Sequence, residues 1–217
     1  PSMHEYEVER RGELLVYKEE RKLPNPFILH LGSIEPRKNI PLLIAAFEEL
    51  KKDPRFTAYE LIIAGRAGFK SSKIHRLIRR SPVSRSIRII NDLKDEERSL
   101  LYASSRVVLF PSFFEGFGFP PLEAQACGTP VITTSRSSLP EILTDSALYV
   151  DPWDANALAR AIELLETNTS LRSGMISKGR TNAQRFSWNR TAHLMLELFE
   201  KILNEQRTHA ATKDSRP

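Results

Sequence analysis

The sequence predicts an α/β fold in which a parallel sheet carries helices on both faces. Three observations lead there. Short β-branched or apolar runs at 27–31, 59–64, 87–90, 106–110, 131–134 and 147–150 alternate with segments of helical spacing. Strands separated by helices join in parallel, and helices then cover both faces of the sheet. Polar and glycine residues gather where the runs end, at 32–38, Gly65-Arg66, Asn91-Asp92, 112–118 and 135–138. In a parallel sheet those ends share one edge, which predicts a single rim site. Finally, 217 residues with 41% hydrophobic content suit a globular chain, and the longest apolar run, Leu42 to Phe47, falls far short of a membrane span.

In chain order, 1–26 is charged and mixed, with Pro24 and Pro26 at its end, and reads as a linker or a remnant of a preceding domain. The 27–31 run (FILHL) is the first strand, and His30 within it reads as a core or rim residue. Asn39 is placed to cap a helix whose Leu43, Ala46, Phe47 and Leu50 keep core-facing spacing. The second strand ends at Gly65-Arg66-Ala67-Gly68, and a helix over 71–80 carries a basic face. The third strand runs into Asn91-Asp92-Leu93, with a helix over 95–104 before the fourth.

After Pro111 and Ser112, Gly116 and Gly118 free the backbone to turn. Pro120 and Pro121 fit the start of a short helix that Gly128 and Pro130 close. The fifth strand is followed by a polar loop over 135–140, the sixth by helices over 154–166 and 169–185. Ser187 caps a last helix over 187–206, and 207–217 reads as a disordered tail.

Composition excludes several classes. Cys127 is the only cysteine, so there is no disulfide frame and no cysteine metal cluster; it reads as packing, in a cytoplasmic setting. The net charge of +5 is uneven: Arg66, Lys70, Lys73, Arg76, Arg79, Arg80, Arg85 and Arg88 fall in a stretch without an acidic residue. Such a block favours anions, among them the inner face of a membrane touched peripherally, although a solvated helix face is the ordinary reading for most of these cations. Nucleic acid is set aside, because no binding motif or interleaved aromatic residues accompany the charge. No G-x-G-x-x-G with an acidic residue downstream is present, which argues against a nicotinamide enzyme. Walker, metal-ligand and nucleophile-elbow patterns are absent as well.

Two carboxylates bracket the glycine turn, Glu115 on the loop and Glu123 on the helix, with seven residues between them. Carboxylates accept hydrogen bonds from hydroxyls and free amides donate to oxygens, a pairing that suits a phosphorylated sugar. Either residue alone is an unremarkable surface or helix Glu. Arg37 and Lys38 precede a helix start, where cations meet the positive end of its dipole. An anion docked there would turn that conflict into cooperation.

The pattern E-G-F-G-F-P-P-L-E followed by A-x-A-C-G-T-P-V resembles the Glu-x7-Glu signature of retaining glycosyltransferases of family four, the glycosyl transferases group 1, which have the GT-B fold. Supporting pieces are G-S-I-E-P-R-K-N at 32–39, L-I-I-A-G at 61–65, S-S-L-P-E at 137–141, V-D-P at 150–152 and F-S-W at 186–188. The resemblance covers 26–186, the C-terminal half of such an enzyme. It implies a Rossmann-like nucleotide-sugar-binding domain over 27–186, with a final helix that crosses back toward a preceding domain.

The resemblance further implies that Lys38, with Arg37, neutralises the donor's diphosphate and stabilises it as a leaving group, without a cofactor or a required metal. Glu115 and the amides of Gly116, Phe117 and Gly118 would hold the transferred sugar, and Glu123 the ribose hydroxyls. Gly32, Ser33, Gly65 and Arg66 would line the site, and Leu93 would meet the base through its main chain. One departure is Ser33, where many members carry arginine; Arg37 is placed to supply that charge. Family members transfer with retention by front-face attack within an ion pair, so Glu115 is not taken as a covalent nucleophile. The Glu-Pro-Arg-Lys-Asn subtype points to mannosyltransferases of surface-polysaccharide assembly, hence GDP-mannose and a glycan or lipid-linked acceptor, with UDP sugars as the competing donors. The partner would be an N-terminal acceptor domain, in cis or as a separate chain. The contrasting reading is a nucleotide-sugar-binding or interaction module without catalysis.

Overall fold

Six strands make one parallel sheet in the order β3-β2-β1-β4-β5-β6, with β1 Phe27–Leu31, β2 Glu60–Ala64, β3 Ile87–Ile90, β4 Val107–Phe110, β5 Val131–Thr134 and β6 Leu148–Val150. The structure is a computed structural model that describes the backbone of residues 11–214 and the side chains of 12–205. Nine helices connect or flank the strands among the described residues: α1 Arg11–Glu20, α2 Ile40–Leu50, α3 Ser71–Arg80, α4 Arg98–Ser104, α5 Phe119–Ala126, α6 Leu139–Leu143, α7 Ala155–Thr167, α8 Thr169–Ala183 and α9 Trp188–Asp214.

Each inner strand is a nearly continuous apolar run because both faces are covered. Side-chain alternation divides the run between two cores. Phe27, Leu29, Leu31, Val108 and Phe110 pack with Tyr102 of α4, Leu122 of α5 and Leu143 of α6. Ile28, Leu61, Ile63, Val107 and Leu109 pack with Leu43 and Phe47 of α2, Ile74 of α3 and Ile162 of α7. Helices therefore lie on both faces, as the alternation of the sequence requires.

Four local expectations are corrected. The described part of 1–26 contains α1, whose Tyr17 is buried in the first core; Arg21, just beyond the helix, holds Asp92 at 2.9 Å and Glu97 at 2.5 Å. It docks on the domain because one amphipathic side of a charged-looking segment suffices. The helix expected to end at 206 continues to Asp214, through most of the segment read as disordered; 215–217 lie outside the described residues. The polar loop over 135–140 turns into α6 at Leu139, with Pro140 near the helix start, where a missing amide costs nothing. Asn39 adopts a left-handed conformation (φ 55°) and makes no side-chain cap to α2. Its Nδ2 instead donates to the carbonyl of Pro152 at 2.8 Å, buried between two loops.

Beyond the strand ends the parallel ladder continues into the loops. Gly32 N donates to Ala64 O, Ile34 N to Arg66 O, and Gly65 N to Ile90 O, at 2.8–2.9 Å. This brings the backbones of residues 32 and 65 into contact: a Cβ on Gly65 would lie 2.0 Å from the carbonyl oxygen of Gly32, at a φ of +152°. Gly65→Ala should therefore cost at least about 2 kcal/mol of stability in urea unfolding. Gly116→Ala, where an added methyl meets nothing within 4 Å, should change it little. Similar losses for both would remove the steric account.

Candidate functional site

The strand order reverses between β1 and β4, so the loops leaving these two neighbours diverge and open a crevice at the carboxyl edge. The β1 loop tightens into a 3-10 turn, Pro36–Lys38, before Asn39 starts α2. The β4 loop runs from Pro111 to Gly118. Phe113 N donates to Arg37 O at 2.9 Å, which seats one loop on the other. Thr134 Oγ1 donates to Ser112 O at 2.8 Å from β5. Ser137 Oγ accepts from Glu115 N at 2.8 Å, and Ser138 Oγ donates to Phe117 O at 2.9 Å.

At the crevice Lys38 Nζ lies 2.6 Å from Glu115 Oε1, and Arg37 Nη1 lies 2.9 Å from Glu115 Oε2. Lys38 and Glu115 are buried, 5% and 8% exposed, so this pair sits where charge is costly without a partner. Arg37 also reaches Glu35 at 2.7 Å, and Ser33 Oγ donates to the same Glu35 oxygen at 2.7 Å. Lys38 Nζ stands 4.7 Å from the centre of the Phe110 ring. A buried Lys38–Glu115 pair thus meets the exposed Arg37, which Glu35 also holds, with Gly32 beside Lys38 and Gly65 behind it.

Three successive amides of the glycine turn, those of Gly116, Phe117 and Gly118, make no hydrogen bond among the described residues. Gly118 holds a φ of +109° at the head of α5. Pro120 and Pro121 carry no N–H, so the free donors here belong to the turn more than to the helix behind it.

Glu123 is held separately. It is 5% exposed, and its Oε2 accepts from Arg98 Nη2 at 2.5 Å and from Tyr102 OH at 2.9 Å, both on α4. Burial first, and the charge of Glu123 second, push the Tyr102 hydroxyl's pKa well up, so it stays protonated as a donor. Arg66 is exposed, with its carbonyl engaged by Ile34. Leu93 is half-buried against the first core, next to the Asp92 that Arg21 ties down. The structure therefore joins Arg37, Lys38 and Glu115 directly and backs them with Gly32 and Gly65; Glu123, Arg66 and Leu93 have other partners.

Sequence reasoning missed the serines that clamp the glycine turn and the α4 side chains on Glu123. Ser137 and Ser138 stood in a polar loop at the correct edge, and Arg98 and Tyr102 at helical i, i+4 spacing. His30, read from the sequence as a core or rim residue, is in the core. His30 is fully buried, its Nδ1 is 2.9 Å from Leu109 O, and its Nε2 lies beside Gly32 near Lys38. Burial chiefly, helped by the charge of Lys38 and opposed by the Leu109 carbonyl, lowers its pKa to about 4. Among the described residues, no group of three or more His, Cys, Asp or Glu side chains is placed to hold a metal ion.

The sequence model of the family described as glycosyl transferases group 1 matches residues 15–182. The chain is 37% identical over 162 residues to O-antigen chain mannosyltransferase B of Escherichia coli, covering 75% of this chain and 42% of that protein. It is 34% identical over 214 residues to the serotype-specific mannosyltransferase WbdA of Escherichia coli, covering 97% of this chain and 26% of that one. It thus spans less than half the length of these curated relatives. Among solved structures, the C-terminal domain of a glycosyl transferase group 1 protein from Francisella tularensis superimposes with a TM-score of 0.69 at 22% identity, over 83% of this chain and 94% of that chain. Anabaena HepE, crystallised with UDP-glucose, superimposes with a TM-score of 0.81 at 20% identity, over 93% of this chain and 56% of that one. These likenesses show that the chain has the fold of the GT-B glycosyltransferases.

The His30 environment sets a pH dependence. Unfolded, the imidazole takes a proton near pH 6.5; folded, it resists until about pH 4. Between those values only the unfolded chain gains the proton, so stability falls as pH falls through the window. Thermal melts should show this slope in the wild type and a shallower one in His30→Gln; equal slopes would assign it to other groups.

Proposed function

The chain belongs to the glycosyl transferases group 1 family, and on that premise we propose that it is the donor-binding half of a retaining hexosyltransferase. The donor is a nucleoside diphosphate sugar laid along the crevice between the β1 and β4 loops. The observation that carries this reading is the buried pair of Lys38 and Glu115 with the exposed Arg37 on the same carboxylate. Lys38 and Arg37 turn from the carboxylate to the diphosphate and stabilise it as the bond to the sugar breaks. This is electrostatic help to a leaving group, met here by side chains with no metal ion called on.

Glu115, released from its cations, accepts hydrogen bonds from sugar hydroxyls, and the amides of Gly116, Phe117 and Gly118 donate to sugar oxygens. Glu123 accepts from the ribose hydroxyls, its direction fixed by Arg98 and Tyr102. Gly32, Ser33, Gly65 and Arg66 line the approach, and the backbone at Leu93 meets the base. Since the relatives are mannosyltransferases by name, mannose from GDP-mannose is the transfer we favour. UDP sugars are the competing donors, given the UDP-glucose bound by a protein of the same fold.

Acceptor binding and turnover need an N-terminal domain, in cis or as a partner. α9 offers it a face: Leu194, Met195, Leu198 and Phe199 are each at least half exposed. If joining that half gave donor binding but no transfer, the chain would be a nucleotide-sugar-binding module instead.

Calorimetric titration with GDP, UDP, ADP and their sugars tests the donor directly. Lys38→Ala should weaken nucleoside diphosphate binding about ten- to a hundredfold, the value of a charged hydrogen bond, and leave the nucleoside almost unaffected. Equal losses for both would take Lys38 out of the phosphate role. Glu123→Gln should weaken the ribonucleotide more than its 2′-deoxy form, and an unchanged ratio would place the carboxylate elsewhere.

A further inference from the structure

Residues 66–88, which lead from the end of β2 through α3 to β3, hold eight lysines and arginines and no acidic residue. α3 buries only Ile74 and Ile78. At about 100° per residue, Arg76 stands opposite the midpoint of those two, with Lys73 and Arg80 beside it. Arg66, Lys70, Lys73, Arg76, Arg79, Arg80 and Arg85 are all exposed, and among the described residues none of the seven makes an ion pair. The eighth, Arg88, reaches Glu60 at 3.3 Å and the carbonyl of Lys22. The carboxylate of Glu48, at the end of α3, accepts from Ser81. Several other cations of the fold are paired, as Arg21, Arg37, Arg98, Arg106 and Arg172 are, while others spread along the chain, such as Lys94, Arg136 and Arg180, make no ion pair among the described residues. What sets the flank apart is that seven such cations fall within one stretch of chain, 66–85, that holds no acidic residue. At the head of α3, Phe69 is 69% exposed, with the Lys70 ammonium 4.8 Å from its ring centre, and Leu77 is 40% exposed.

We propose that this flank is a docking surface for an anionic phospholipid membrane. Seven free cations match a negatively charged headgroup layer by charge, and Phe69 adds an apolar contact at the interface. Because Ile74 and Ile78 are committed to the core, α3 lies on the headgroups without inserting. A nucleic acid fits less well, since the cations are not interleaved with stacking aromatic residues beyond Phe69. The flank adjoins the rim: Ala67 bridges to Ile34 in the β1 loop that carries Lys38. Docking here therefore brings the donor crevice beside the bilayer and favours an acceptor presented from that surface. The proposal does not depend on which donor binds.

The test is co-sedimentation of the chain with vesicles of phosphatidylcholine alone and of phosphatidylcholine with phosphatidylglycerol. Binding should need the anionic lipid and weaken as salt is raised. It should fall about thirtyfold for each cation reversed in the series Lys73→Glu, Arg76→Glu, Arg80→Glu, since each reversal changes the charge by two units. Phe69→Ser should weaken binding while keeping the salt dependence. Circular dichroism and GDP titration on the same variants report folding and donor binding separately. Equal binding to neutral vesicles would point to the apolar side of α9 and overturn the proposal. Indifference to the charge reversals, or a preference for a single-stranded oligonucleotide over the anionic vesicles, would overturn it as well.

Discussion

The reversal of strand order between β1 and β4 is the constraint on which the rest of this fold depends. Crossovers in a parallel sheet have one hand, so the chain leaving β1 and the chain leaving β4 turn to opposite faces. No loop can bridge the gap between them without breaking that rule. The β1 loop brings Arg37 and Lys38 to one lip, the β4 loop brings Glu115 to the other, and the two meet across the gap. Elements that seem unrelated serve this meeting. The contact of Gly65 with Gly32 fixes the height of the first loop, the Thr134 and Ser137 hydroxyls fix the second, and Asn39 ties the first to the β6–α7 turn.

Energetically the corner is a compromise. A buried lysine and glutamate at 2.6 Å each lose hydration that their attraction only partly returns. Removing one partner strands the other, which makes the pair a poor choice for stability and a reasonable one for a site where the partner is to be exchanged. His30 fits beside it because it stays neutral: burial outweighs the Leu109 carbonyl that favours the protonated form, and the ring adds bulk next to Lys38 without a further positive charge.

Much of the fold was legible in the sequence, since each strand is a short apolar run bounded by turn residues and periodicity distinguishes strand from helix. The carboxylate pair and the Arg37-Lys38 step stood out as local motifs; of these the structure brings Arg37, Lys38 and Glu115 together and gives Glu123 to α4. What escaped depends on contacts distant in the chain. Asn39 has the composition of a cap, yet its side chain is claimed by Pro152, 113 residues away. The segment before β1 looked like a linker because its charges are local and its partners, in the turn after β3 and just ahead of α4, are not. Arg98 and Tyr102 carried no signal of Glu123, for a helix i, i+4 pair names a face and not what that face meets.

The shared carboxylate has a further consequence for selectivity. Glu115 acts as a resident counter-ion that already satisfies two cations through its two oxygens. A lone monovalent solute that displaced it would only swap one carboxylate-like contact for another. In the function proposed above, a pyrophosphate would engage both cations at once and add charge of its own, so the exchange would run downhill only for a polyvalent visitor. On that proposal valence, ahead of shape, would be the first filter at the mouth of the crevice.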